Sequence, residues 1–276
     1  MKKYFLACGY VWLLLSSCYT PRYVYSPAAH NVPLLTKKGD SRLAFNYSSN
    51  LAFIQKSSKA NNSYGFDLQG AFAIGKHFAL QSGYYSRQEK NEGNFSTNLD
   101  SSVIRYKRNL FEFGVGYYRL LDSASHFTFQ VFSGAGIGKF SFTDNGKNQG
   151  GVFYNRFHEA DITKVYLQPA LVFLPGPQIS LSVSSRFSLI NFHNINTDYT
   201  DSELRNYELD SLGHSDVIFW EPSFINSFGF KKIPGLRMEY QLGMSLLMSR
   251  KFVDGRSFNF SAGLVLDLQK MLKREQ

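Results

Sequence analysis

Leu236-Arg237-Met238-Glu239-Tyr240-Gln241-Leu242-Gly243-Met244-Ser245-Leu246-Leu247 alternates almost residue by residue. Leu236, Met238, Tyr240, Leu242, Met244 and Leu246 fall on one face, and Arg237, Glu239, Gln241, Gly243 and Ser245 on the other. Strict period two marks a β-strand with one apolar and one polar side. Phe258 to Leu268 repeats the pattern, with Asn259, Ser261, Gly263, Val265 and Asp267 on its second face. So does Ile179 to Leu189, whose second face is Ser180, Ser182, Ser184, Arg186 and Ser188. Alternation alone fits a soluble sandwich with its apolar faces inward or a membrane barrel turned inside out.

Three features choose the barrel. The polar faces are small, Gly- and Ser-rich and dotted with single charges, as in Gly134, Gly136 and Gly138; such residues suit a narrow lumen better than bulk water. The strands are long, as in His126 to Thr143 and Arg156 to Leu174, whereas soluble strands average about 5–6 residues. The connections also alternate in length. Tight turns fall at Gly75-Lys76-His77, Leu121 to Ser125, Pro175-Gly176-Pro177 and Lys231 to Gly235. Long polar loops fall at Gln55 to Asn62, Gln88 to Ser101, Asp144 to Gly151, Asn194 to Asp216 and Met248 to Arg256. Short turns on one side and long loops on the other are the pattern of outer-membrane barrels.

The expected fold is therefore all-β: a transmembrane antiparallel up-and-down barrel of about ten strands, with eight or twelve as alternatives. Periplasmic turns are short and extracellular loops long. Pro169 and Pro222 fall inside strands, and a closed barrel has no free edge for them. A bulge is expected at each, or a strand end near Pro222.

Composition agrees. The 276 residues are 43% hydrophobic and 16% aromatic, with 26 Phe and 17 Tyr but only 2 Trp. The mean hydropathy of −0.24 is that of a wall in which alternate residues face lipid. After the first residues, no apolar run approaches the roughly 20 that a spanning helix needs. The net charge of +9 is scattered over Lys37-Lys38, Arg105 to Arg108, Lys231-Lys232 and Lys270 to Arg274. It fits anionic lipid head groups, and no nucleic-acid motif accompanies it.

Lys2-Lys3 followed by Tyr4 to Leu15 reads as a secretory signal. It ends in Leu15-Ser16-Ser17-Cys18, which resembles the lipobox of bacterial lipoproteins. The resemblance implies removal of residues 1–17 and lipidation at Cys18. Cys8 leaves with the signal, so the mature chain keeps no free thiol. Residues 18–40, with Pro21, Pro27 and Pro33, read as a lipidated extended tether, residues 41–270 as the barrel, and residues 271–276 as a basic periplasmic tail. Ten strands put both barrel ends on the turn side. No acidic cluster of the kind resembling a surface-export signal follows Cys18. The lipid is accordingly expected in the periplasmic leaflet, with anchoring in the cell outer membrane.

Ser101-Ser102-Val103-Ile104-Arg105-Tyr106-Lys107-Arg108-Asn109, with Phe111-Glu112-Phe113-Gly114, carries a wider resemblance. Gly138-Lys139-Phe140-Ser141-Phe142-Thr143-Asp144-Asn145-Gly146, Arg156-Phe157-His158 and Thr197-Asp198-Tyr199 continue it. Together with the lipobox, these resemble the outer-membrane β-barrel lipoproteins of Bacteroidetes-type bacteria. The resemblance implies fold and location and assigns no activity.

Charges of both signs fall on the expected lumen face: Asp67, Glu112, Lys164, Arg186, Glu221, Arg237, Glu239 and Asp267. Inside a narrow barrel they must pair. Glu112, Arg186, Glu221 and Arg237 are expected in one inward network, and a polar path for a small solute is the other reading of these charges. The loop from Asn194 to Asp216 carries Asp198, Asp201, Glu203, Glu208, Asp210, His214 and Asp216, but no metal-loop spacing. His214 with Asp216 resembles the carboxylate and histidine pairs of surface proteases. His158, Glu159 and His193 could meet at the rim. Gly114-Val115-Gly116 and Gly134-Ala135-Gly136 lie within strands, where they serve close packing rather than phosphate binding. No catalytic residue, metal or cofactor is expected. The expected role is a structural or surface-interaction barrel, with loops 88–101 and 194–216 facing an extracellular partner. A narrow transport barrel is the alternative, and a surface hydrolase a remote one.

Overall fold

The computed structural model describes residues 22–49, 61–94, 101–124, 126–147, 151–207, 209–249 and 254–272. Cys18 and the signal, most of the first long loop, residues 95–100, 148–150 and 250–253 of the other long loops, and residues 273–276 lie outside them. Among the described residues, thirteen strands form: β1 Tyr23–Tyr25, β2 Ser41–Ser49, β3 Asn61–Ala73, β4 Phe78–Asn94, β5 Ser101–Leu120, β6 Phe127–Lys147, β7 Phe153–Gly176, β8 Ile179–Thr197, β9 Val217–Phe230, β10 Ile233–Met244, β11 Leu246–Leu247, β12 Asp254–Gly255 and β13 Phe258–Leu266. Two short helices, α1 Asp201–Asn206 and α2 Leu268–Leu272, complete the elements with a 3-10 turn at Leu212–His214.

From β2 to β10, each wall strand pairs antiparallel with the next, and β13 pairs with both β10 and β2. The ring is thus a closed barrel of ten strands. Its faces are inverted relative to a soluble protein. On β2, Arg42, Ala44, Asn46 and Ser48 are buried, while Phe45 and Tyr47 are each 56% exposed. On β8, Ser180, Ser182, Ser184, Arg186 and Ser188 are buried, and Val183, Phe187 and Leu189 face outward.

The two prolines do not bulge. Pairing of β7 with β8 keeps its register from Leu167↔Phe187 to Ala170↔Ser184, across Pro169. Pro222 stays in β9 opposite Ser185, and the neighbouring strand breaks instead, between Met244 of β10 and Leu246 of β11. Without an N–H, Pro222 cannot bond across the ladder there. Ser245 turns its N–H to the Ser257 carbonyl on the other side, 2.9 Å away.

The wall is uneven. β2 and β13 have 9 residues each, about the length needed to cross a membrane, whereas β5, β6 and β7 have 20, 21 and 24. All the tight turns lie at one end, so the surplus overhangs the long-loop end. The loop expected at residues 88–101 is accordingly shorter, because β4 runs to Asn94 and β5 begins at Ser101. The overhang faces inward with Ile104, Tyr106, Phe140, Phe142, Ile162, Ile190 and Phe192. The segment after β8 folds over this apolar wall and buries Tyr199, Leu209 and Leu212 against it. A capping box between Thr200 and Glu203 starts α1.

The sequence leaves open whether the tether enters the lumen, and the structure places residues 22–36 inside the barrel. Leu35 packs beside Ala73, Ala79 and Tyr118 at the turn end, whereas Arg22 reaches Asp144 near the top of β6. Residues 22–36 run through the lumen from the long-loop end down to the turns. There Gly39 and Asp40 bond to Ala73 before β2 begins.

Candidate functional site in the barrel lumen

The segment Tyr23–Thr36 carries no Asp, Glu, Lys or Arg. Pro27 and Pro33 favour an extended chain with no internal hydrogen bonds. Its backbone groups must then find partners in the wall, and inward side chains supply them. Gln241 clamps His30 from both sides, accepting from its N–H at 2.9 Å and donating to its carbonyl at 2.8 Å. Gln69 donates to the Ala29 carbonyl, Gln168 to that of Asn31, and Gln130 to that of Pro33. Arg186 Nη2 donates to the Ala28 carbonyl at 2.9 Å, and Arg108 Nε to that of Val24 at 3.3 Å. Higher up, β1 pairs parallel with β12, and the Arg256 N–H donates to the Tyr25 carbonyl. Ala28 and Ala29 are buried beside Arg186 and Asp67.

The charged side chains form islands rather than one network. Lys164, Arg186, Glu112 and Glu221 make a four-charge group with no net charge. Arg186 Nε donates to Glu221 at 2.9 Å and stands 3.8 Å from Glu112. Lys164 Nζ is 2.8 Å from a Glu112 oxygen, a charge contact outside hydrogen-bond angles, and 3.9 Å from Glu221. Lys164 and Glu221 are both 0% exposed. Register explains the meeting: Glu112, Gly136 and Lys164 stand abreast on β5, β6 and β7, and Gly136 leaves room for the Glu112 side chain between them. Arg186 and Glu221 are direct partners on β8 and β9. The Tyr25 hydroxyl donates to Glu221 at 2.8 Å, tying the tether to this group.

Asp67 belongs to a second island. It accepts two bonds from Arg87, one from Ser48 and one from the Ala29 N–H. Glu239 belongs to a third, with both oxygens 2.8 Å from Arg42. Arg237 is a correction, since it joins neither Glu112 nor Glu221. It lies at the turn end, where it donates to the Ser227 hydroxyl and to the carbonyls of Pro177, Gln178 and Ser227. It borders an open cavity of about 500 Å³ below the tether. Asp267 lines the same cavity at the mouth of the lumen, where it holds Lys270.

Sequence reasoning missed Arg42, Arg87 and Arg108, and with them Glu89, which lies 2.8 Å from Arg108 and 3.1 Å from Arg256. It also missed Arg22 with Asp144, at 2.6 Å, where Tyr199 donates to the same carboxylate. Period two could have found the wall members, since each falls on the inward face of its strand. Nothing local marks the tether as their partner.

The other candidates do not assemble. Asp216 accepts from Asn191, and His214 is exposed at the end of the 3-10 turn. His158 points inward against Phe142, whereas Glu159 is exposed and His193 lies outside the buried core. The paired glycines serve packing. The Tyr166 hydroxyl covers both Gly114 and Gly134, where added Cβ atoms would strike it, and the Phe132 ring does the same at Gly116.

No family model matches the chain, and no curated protein matches it. Among solved structures, it resembles the outer membrane protease OmpT of Escherichia coli at 10% identity and a TM-score of 0.45, over 83% of this chain and 94% of that one. It resembles the translocator domain of the autotransporter NalP of Neisseria meningitidis at 10% and 0.47, over 83% and 88%. The COG4313 outer membrane channel of Pseudomonas putida F1 follows at 10% and 0.40, over 87% and 99%. These likenesses carry no argument about activity. The chain has the outer-membrane β-barrel fold, and its exposed apolar belt places it in contact with lipid.

Proposed function

We propose that the chain is a lipid-anchored barrel resembling the Bacteroidetes lipoproteins, closed by its own N-terminal segment, with a structural or surface-interaction role and no turnover chemistry. One observation carries this reading: residues 22–36 fill the lumen with backbone bonded to the wall. A ten-stranded barrel has little interior beyond its own side chains, and a threaded strand occupies what remains. The capped segment from Tyr199 to Asp216 is the surface offered to a partner, with Asp201, Ser202 and Arg205 exposed on α1.

The test is conductance across a planar bilayer. The full chain is expected to pass no steady current. Gln130→Ala with Gln168→Ala and Gln241→Ala, which loosens the tether, is expected to produce intermittent current. Steady current from the unaltered protein overturns the closed-barrel reading and favours solute passage. Turnover of mixed peptides or lipids that Gln substitution at His214 abolishes would overturn the non-enzymatic reading.

A further inference from the structure

The wall begins at Ser41 on the turn side, yet Arg22 lies near the opposite rim, bonded to Asp144 beside Tyr199 and with its guanidinium over the Tyr207 ring. Contacts along the tether rise in strict order. Leu35 meets the turn-end cluster, and Asn31 bonds the carbonyls of Gly70 and Ser82. Ala28 meets Arg186, Tyr25 meets Glu221, and Arg22 meets Asp144. The descent is parallel to that of β12. The direction is therefore fixed by many independent bonds and not by one.

Cys18 precedes Arg22 by four residues, which extend at most about 14 Å at 3.3–3.6 Å each. The way back to the turn side takes the tether all of residues 22–36 and is already filled. We propose that the segment preceding Arg22 leaves the barrel on the cell-surface side, so that acyl chains on Cys18 enter the outer leaflet of the outer membrane. This rests on the reading of Cys18 as lipidated. The protein reaches the surface by passing its N-terminal segment through its own barrel, with no acidic export signal after Cys18. Two acyl chains with the barrel make the anchoring stable, and the lipid then holds the tether in place.

Single-cysteine labelling in cells tests this, because the processed, lipidated chain offers no free thiol. Pro21→Cys is compared with Lys76→Cys in the β3–β4 turn and with Asp210→Cys in the outer segment. The probe is a membrane-impermeant maleimide, applied before and after permeabilisation to chains that run as folded barrels on unheated gels. Pro21→Cys is expected to label on intact cells as fully as Asp210→Cys, and Lys76→Cys only after permeabilisation. Labelling of Pro21→Cys only after permeabilisation overturns the threaded route. Labelling of the unaltered chain on intact cells means that Cys18 is free. That result overturns the lipid reading and still reports which side the segment reaches.

Discussion

Lys164, Arg186, Glu112 and Glu221 form a neutral, sealed group, so removing one member exposes its worth. Glu112→Gln keeps the shape and leaves two cations facing one carboxylate. Lys164→Met leaves two carboxylates facing Arg186, and it also empties the 3.2 Å bond to the Tyr25 hydroxyl. Breaking a buried pair from one side costs about 3–5 kcal/mol, because the remaining charge has no water to turn to. The double variant restores neutrality, and Arg186 keeps Glu221 at 2.9 Å. Its cost is expected to fall to about 1–4 kcal/mol, the range for lost hydrogen bonds and packing. The cycle should therefore show coupling of at least about 2 kcal/mol, where independent sites add to within about 0.5. The assay is urea unfolding of the barrel in bilayers, read from the fraction that migrates as folded on unheated gels. Additive single costs would refute the neutral-group account. A double variant less stable than either single variant would also refute it.

Val115→Arg places a cation on the lipid face, where Val115 is 56% exposed, and should destabilise by about 2–4 kcal/mol near the bilayer centre; the same unfolding measurement checks it. Gly134→Val drives a side chain into the Phe113 carbonyl and the Tyr166 hydroxyl and should cost about 1–3 kcal/mol as overpacking, read by the same unfolding measurement; adding Tyr166→Ala should not restore it, because the backbone carbonyl stays in place. Thr200→Ala removes the cap of α1, a loss of about 1 kcal/mol; proteolysis within residues 198–216 should quicken while the barrel midpoint stays fixed. Burial pushes the Glu203 carboxyl up, but hydrogen bonds from Thr200 and the nearby Arg156 outweigh it and hold it below the ordinary glutamate value. A depressed carboxyl stabilises above the unfolded value, about 4.3, and this contribution is lost as pH falls through the folded one. Cleavage of the outer segment should therefore quicken below that range in the natural chain, with a smaller change in Thr200→Ala.

The wall was legible because its signal is periodic. From Leu236 to Leu247, and again from Ile179 to Leu189, each side chain announces its face, and every tight turn named from Gly and Pro lies at a turn of the barrel. Strand ends were less legible. Asn194 to Thr197 and Gln88 to Asn94 look polar enough for loops, yet they extend a wall that stands in water, where an outward polar residue costs nothing. Pro222 misled because the defect it causes appears in its neighbour, at Ser245, rather than in its own strand. Arg237 misled because period two reports only the inward direction, and height along the strand decides which charge it meets. The tether was the largest gap. Pairing between a nonperiodic segment and side chains from most of the wall leaves no periodic trace. Two weak signs were present: the absence of Asp, Glu, Lys and Arg from Tyr23 to Thr36, and neutral amides facing inward at Gln69, Gln130, Gln168 and Gln241. A lumen lined with glutamines is suited to hold a backbone.

A chain that passes through a ring of its own strands is a noncovalent lasso, and its geometry orders the steps of its making. The ring is sealed where β13 meets β2, along the ladder from Phe260↔Ser49 to Leu266↔Leu43. Those two strands are the last and first of the wall, so the hoop can close only after the final strand is made. Residues 22–36 must be inside before it does, since a lumen already filled by side chains offers no later passage. Once it is sealed, pulling on the N-terminal end loads the strand that follows Asp40, and the loop tightens on its own seam.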